Sequence, residues 1–102
     1  MKVHALALVG LYAALAHAGE MKMCSETNMN GHCDVQTSAG SRTGTWRSYH
    51  WASSLNTCVK VCNDCTELGW RCKDYSNNDI SFSRIVIFDW AGGSGPDRTS
   101  CC

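Results

Sequence analysis

The residues best placed to do chemistry are cysteines, and four of the eight lie in one short segment, at Cys58, Cys62, Cys65 and Cys72. Thiols at this density can form a redox pair, a metal site or disulfide cross-links. Cys62 and Cys65 have the C-x-x-C spacing of a redox pair, in which a helix N-terminus activates the first thiol. The strand that precedes such a motif in a thioredoxin-like unit is missing, so the sequence favours structural cystine.

Two other chemistries are weakly represented. Zinc is bound by thiolate and imidazole, and His32 and His50 are available, but no second C-x-x-C pair stands at zinc-finger spacing. For hydrolysis, serines, histidines and the acids Asp34 and Asp64 are present, but no G-x-S-x-G motif positions a nucleophile. We therefore expect no metal site, no cofactor and no catalytic residues, and the sequence predicts a protein that is not an enzyme.

The N-terminus decides how the cysteines are interpreted. Met1-Lys2 is followed by an apolar run from Val3 to Ala16, and Ala16-His17-Ala18 has the small-x-small form of a signal peptidase site. The alternative is a membrane anchor, but the run is shorter than the roughly 20 residues that a spanning helix needs. Residues 1–18 are thus predicted to be a signal peptide, and residues 19–102 a single cysteine-rich domain that is secreted to the extracellular space.

Charge excludes two classes of partner. Loss of Lys2 with the signal peptide leaves eight basic against nine acidic side chains, a formal charge of −1. Nucleic acids and anionic membranes are bound through basic patches, and the basic residues here are scattered. We expect neither a nucleic acid nor a membrane as partner, and we expect a monomer.

The predicted domain needs cross-links because a chain of 84 residues buries only about 60 to 65% of its unfolded surface. An even number of cysteines in a small secreted chain is typical of a disulfide scaffold. Neighbouring cysteines are poorly placed to pair with each other, so Cys101 and Cys102 should each pair elsewhere, with the segment from Cys58 to Cys72 as a plausible source of partners. Eight cysteines allow 105 pairings, and we expect four bonds. The expected disulfide cysteines are Cys24, Cys33, Cys58, Cys62, Cys65, Cys72, Cys101 and Cys102.

The fold class predicted from these patterns is α+β. Trp51, Leu55, Cys58, Cys62 and Cys65 are spaced 4, 3, 4 and 3, which indicates one face of a helix at about residues 53–68. The β-branched residues that alternate in the same segment would suit a strand, which is the alternative. Residues 80–90 are the clearest strand, so the architecture expected is one helix packed on a short antiparallel sheet around this core strand.

An aromatic run provides the candidate interaction surface. Trp46, Tyr49 and Trp51 lie beside a glycine-containing loop at residues 38–44, and such side chains serve either as core residues or as contact anchors at interfaces. A small domain cannot bury every aromatic ring. We therefore expect these three residues to be partly exposed, with burial in the core as the alternative.

A leader, a short cysteine-rich chain, a terminal Cys101-Cys102 pair and many Gly, Ser, Asn and aromatic residues together resemble the small cysteine-rich secreted effectors of plant-pathogenic fungi. Length and cysteine number are similar to those of the biotrophy-associated secreted proteins. The resemblance implies secretion into the host apoplast or the interface around invading hyphae. It further implies a non-enzymatic role in virulence through an unknown host protein or cell-wall component.

Two alternative functions remain open at this point. An antimicrobial or toxin-like peptide is one, although such proteins often carry excess positive charge. A protease inhibitor with a disulfide-braced loop is the other, with residues 91–98 or 38–44 as its candidate loops.

Overall fold

The computed structural model describes residues 19–90 and 100–102. The predicted signal peptide and the candidate inhibitor loop at residues 91–98 lie outside the described residues. Within the described ranges the chain forms eight strands and one short 3-10 segment. The strands are β1 Glu20–Cys24, β2 Cys33–Gln36, β3 Gly40–Trp46, β4 Ser48–Ala52, β5 Thr57–Asn63, β6 Thr66–Arg71, β7 Tyr75–Asn77 and β8 Phe82–Asp89, and the 3-10 segment is Thr27–Met29.

The strands form two antiparallel sheets of four. The first has the order β2-β1-β4-β7 and is called the β1 sheet; the second has the order β3-β8-β5-β6 and is called the β5 sheet. The chain changes sheet several times. After β2 it enters the β5 sheet for β3, returns to the β1 sheet for β4, and enters the β5 sheet again for β5 and β6. It then adds β7 to the β1 sheet and β8 to the β5 sheet. The two sheets therefore share one core.

The inner faces of both sheets supply this core. The β1 sheet contributes two methionines and two aromatic rings, and the β5 sheet contributes valine, isoleucine and phenylalanine side chains. Alternate residues of a strand point to the same face, which is why Val59 and Val61 of β5 and Ile85 and Ile87 of β8 reach the core. The core residues are Met21, Met23, Trp46, Tyr49, Trp51, Val59, Val61, Phe82, Ile85 and Ile87.

The predicted helix at residues 53–68 is wrong, and the fold is not α+β. The structure places β5, a turn and the first half of β6 in this segment. The alternation of Thr57, Val59 and Val61 decided the outcome, because β-branched side chains pack well on a pleated sheet. The spacing of the cysteines was misleading: residues four apart share one face of a strand as well as one face of a helix.

The β5 strand is buried on both of its faces. Val59 and Val61 face the core between the sheets, whereas Cys58, Lys60 and Cys62 alternate with them on the outer face and are each at most 5% exposed. The Nζ atom of Lys60 lies 3.3 Å from a carboxylate oxygen of Glu67 on the neighbouring β6. An ion pair of this kind is what allows a lysine to be buried at the centre of a sheet.

The core strand predicted at residues 80–90 is confirmed as β8, which lies between β3 and β5. The aromatic run, in contrast, is not one strand. It divides at Arg47 into the end of β3 and the whole of β4, which belong to different sheets. The loop predicted at residues 38–44 is shorter than expected because β3 begins at Gly40.

Candidate binding site

All eight cysteines are paired in four disulfides, as the sequence predicts. Cys24–Cys33 joins β1 to β2, and Cys58–Cys72 joins β5 to the residue that follows β6. The other two bonds hold the end of the chain. They are Cys62–Cys101 and Cys65–Cys102, and we call them the clamp.

The clamp fixes two successive residues of the chain end to two nearby points of one hairpin. Cys62 lies on β5 and is fully buried, and Cys65 lies in the turn to β6. The Cα atoms are 5.8 Å apart in the Cys62 bond and 5.1 Å apart in the Cys65 bond. The prediction that Cys101 and Cys102 pair with this segment is therefore confirmed.

A pocket of about 550 Å³ lies where the clamp meets the end of the β5 sheet. Its walls come from β3, from the turn between β5 and β6, from β8 and from the clamped residues. A ligand pocket usually measures about 300 to 1,000 Å³, so this one is large enough for a small molecule or one unit of a polymer. Its lining residues are Thr43, Gly44, Thr45, Asp64, Cys65, Ser83, Arg84, Cys101 and Cys102.

Arg84 is the cation of this pocket. It lies on β8 opposite Cys62 on one side and Thr43 on the other, and it is half-buried. Its Nε atom is buried without a hydrogen-bond partner, and none of the ion pairs between described residues includes it. Because this charged side chain lines the pocket and has no ion-pair partner among the described residues, it is suited to an anionic acceptor that comes from outside the chain.

Hydroxyl groups and one carboxylate complete the lining. Thr43, Thr45 and Ser83 contribute hydroxyls, each able to donate and to accept. Ser83 also supports the turn, because its Oγ accepts a hydrogen bond of 2.8 Å from the backbone N–H of Asp64. Asp64 has a φ of 51°, the left-handed conformation that aspartate tolerates better than most residues, and its exposed side chain lines the pocket.

The wall formed by β3 contains a bulge between Thr43 and Trp46, where the register with β8 shifts. Gly44 stands within this bulge and lies against the Trp46 indole, so closely that a Cβ atom would overlap the ring. The absence of a side chain at Gly44 lets one residue line the pocket on one side and contact the core on the other.

The predicted interaction surface is not exposed. Trp46, Tyr49 and Trp51 are only 2%, 3% and 0% exposed and belong to the core, which corrects the expectation that they are partly exposed. Two of these rings pack against the same phenylalanine. The centroid of the Phe82 ring lies 5.3 Å from the ring centroid of Trp46 and 5.3 Å from that of Tyr49. The shift between sheets at Arg47 allows all three to point inward, which strict alternation along a single strand would not permit.

Acidic side chains at both edges of the β1 sheet accept hydrogen bonds, and Asp34 is the first of them. Asp34 on β2 accepts a hydrogen bond of 3.1 Å from the Trp46 indole N–H and lies 3.3 Å from an Arg42 guanidinium nitrogen. The indole hydrogen bond, followed by the charge of Arg42, holds the pKa of Asp34 below its usual value. These contacts join the edge strands β2 and β3 of the two sheets.

Asp74 plays a similar part at the other edge of the β1 sheet, just before β7. Its carboxylate accepts hydrogen bonds from the backbone N–H and the hydroxyl of Ser53, at 2.8 and 3.0 Å. The backbone hydrogen bond is the main reason that the pKa of Asp74 is lowered. His50 and Ser76 form a further hydrogen bond nearby, on exposed positions of β4 and β7.

Burial has the opposite effect on a phenol. Tyr49 lies in the core, and desolvation there raises the pKa of its hydroxyl.

Among the described residues, no three histidine, cysteine or acidic side chains are grouped so that they could hold a metal ion. In residues 19–90 and 100–102, likewise, no helix has the length and hydrophobicity needed to cross a membrane.

Comparison of the chain with protein-family models, with curated proteins and with solved structures gives no match in any of the three. The site is therefore interpreted from its own geometry. Sequence reasoning missed Arg84, although a signal was present: it is a charged residue in the predicted core strand, directly before the apolar run of residues 85–88.

Proposed function

We propose that the protein is secreted and acts outside the producing cell as a non-enzymatic, effector-like protein at the interface between a pathogen and its host. Its place of action would be the host apoplast or the space around invading hyphae. Its activity would be to bind a host protein or a cell-wall component. The pocket beside the clamp is the proposed binding site.

One observation carries this proposal: every cysteine of the chain is engaged in a disulfide. Disulfides form and persist in oxidising compartments and are rare in the cytosol. Four of them in a domain of this size supply stability that a small core provides only in part. The signal-like sequence of residues 1–18 supports the same compartment.

Binding rather than catalysis is favoured by the character of the pocket. Its histidine-free lining offers an arginine, three hydroxyls and one carboxylate, and the clamp holds one wall in a fixed position. A fixed polar pocket loses little conformational entropy when a ligand enters, which favours affinity. A histidine that acts as a general base beside a nucleophile is a common arrangement for hydrolysis, and none of these lining residues is a histidine.

The proposal is tested by expressing the full chain with a C-terminal tag after a spacer and following it during infection. The control is the same chain without residues 2–18. We expect the full chain in the apoplastic fluid with no thiol that reacts with maleimide under denaturing conditions, and the control inside the producing cell. Recovery of the full chain inside the cell, with reactive thiols, would contradict the proposal.

A further inference from the structure

The pocket beside the clamp has a composition that selects one chemical class of ligand. We propose that it binds a uronic acid unit, a sugar whose carboxylate is held by Arg84 and whose hydroxyls are held by the remaining lining residues. This inference rests on the proposed function and names the ligand of the same site.

The first step concerns the charge. Arg84 lines the pocket, and no carboxylate of the described residues forms an ion pair with this side chain. A guanidinium presents a planar fork of donors that matches the two oxygens of a carboxylate. The ligand group that satisfies Arg84 is therefore an anion with at least two acceptor oxygens.

The second step separates a carboxylate from a phosphate or a sulfate. Asp64 lines the same pocket, and its negative charge would repel a dianion. A carboxylate carries only one charge and meets less repulsion. A ligand that combines one carboxylate with hydroxyl donors satisfies both ends of the pocket, because the hydroxyls can donate to Asp64.

The third step concerns the rest of the lining. The hydroxyls of Thr43, Thr45 and Ser83 can donate and accept, and they match the alternating donors and acceptors of a sugar ring. The lining contains no aromatic or large aliphatic side chain, which is what an apolar side chain next to a peptide carboxylate would need. A sugar acid is thus favoured over a protein C-terminus that ends in an apolar residue.

The test is a calorimetric titration of the purified, oxidised protein at physiological ionic strength. The probes are D-galacturonic acid and D-glucuronic acid, with galactose and glucose as neutral sugars of the same shape. We expect the two acids to bind with a Kd of about millimolar for a single unit, and the neutral sugars to bind at least tenfold more weakly. A trimer of galacturonic acid then separates the sources: tighter binding of the trimer indicates a polysaccharide chain, and equal binding indicates a free sugar acid.

Three variants assign the binding to Arg84. Arg84→Gln should weaken uronic acid binding at least tenfold, because charge and fork are both lost, and Arg84→Lys should restore part of it. Arg47→Gln is the matched control, since Arg47 pairs with Asp79 and does not line the pocket. Thermal unfolding of each variant shows whether it is folded, and a loss of binding shared by Arg47→Gln would contradict the assignment.

Three further outcomes would overturn the proposal. They are the absence of binding at tens of millimolar acid, equal binding of acid and neutral sugars, and tighter binding of inorganic phosphate or of acetyl-glycyl-glycine. Each of these leaves the secretion experiment unaffected. A protein found inside the cell with reactive thiols would contradict the proposed function even if the purified protein bound uronic acids, so the two failures are distinguishable.

Discussion

The two sheets of the molecule are held together by different means. The β1 sheet contains a single disulfide, Cys24–Cys33, which closes a sequence separation of 9 residues. The other three disulfides all start from the β5–β6 hairpin or its ends, and they close separations of 14, 39 and 37 residues. The β1 sheet relies instead on hydrogen bonds to Asp34, Ser48 and Asp74.

This difference determines which conditions weaken each half. A disulfide restricts the unfolded chain, and in the chain-entropy model its effect grows with the length of the loop that it closes. Reduction should therefore damage the β5 sheet and its pocket most. Hydrogen bonds to carboxylates depend on their ionisation, so acid should act mainly on the β1 sheet.

The largest effect is expected when the whole clamp is removed by changing its four cysteines to alanine. Either clamp bond alone holds Cys101 and Cys102 close to the turn between β5 and β6. When one bond is present, the other therefore closes only a short loop and adds less stability. We expect a loss of about 2 kcal/mol in the free energy of unfolding for either bond and about 6 kcal/mol for both. Urea unfolding measures these values.

The two single-bond variants, Cys62→Ala with Cys101→Ala and Cys65→Ala with Cys102→Ala, are the controls for this prediction. If their losses add up to the loss measured for the complete clamp, the two bonds are not redundant. The two sheets would then differ only in the number of their disulfides, three against one, and not in how the disulfides act together.

A smaller effect is expected from Cys24→Ala with Cys33→Ala. The loop is short, and the same chain-entropy model gives a loss of about 3 kcal/mol in the free energy of unfolding. The pocket should be retained, because the bond lies in the other sheet. Urea unfolding and uronic acid titration check the two parts, and loss of binding in a folded variant would show that the sheets are coupled more closely than proposed.

The next effect concerns the Ser48 hydroxyl, which links β4 to the backbone of the segment that follows β1. Ser48 is fully buried; its Oγ donates to the Glu26 carbonyl at 2.6 Å and accepts from the Met29 N–H at 2.9 Å. Ser48→Ala leaves both backbone groups without this partner and should cost about 1 to 3 kcal/mol. Chemical denaturation measures it, and Ser81→Ala, at an exposed position, should cost less than about 0.5 kcal/mol. Equal losses would remove this role for Ser48.

The smallest effect is on acid stability. The pKa values of Asp34 and Asp74 are lowered by folding, so the folded protein binds fewer protons than the unfolded one. Their contribution is complete above the pKa of the unfolded chain and is lost as the pH falls through the folded values. Asp34→Asn with Asp74→Asn should therefore flatten the fall in Tm below about pH 4. Thermal unfolding across this range tests it, with Glu20→Gln as an exposed control, and an unchanged slope would contradict the prediction.

Sequence reasoning predicted that all eight cysteines form disulfides, that Cys101 and Cys102 pair with the segment from Cys58 to Cys72, and that residues 80–90 form a core strand, but it failed on the helix and on the aromatic surface. The helix failed because Cys58 and Cys62, four residues apart, share a face in both kinds of element. The surface failed because the chain changes sheet at Arg47, and no local pattern near Trp46 announces that change. Arg84 was visible as a charged residue in an apolar strand, but its lack of a partner was not.

The sequence by itself determined that eight cysteines must be cross-linked in a small domain, since neither a metal nor a redox motif explains their spacing and a core of this size needs staples. Only the tertiary structure decided which cysteines pair, which aromatic rings are buried and which polar residues meet at the clamp. The physical reason is that antiparallel pairing joins residues far apart in the chain, such as Thr43 with Arg84. A local pattern carries no record of that pairing.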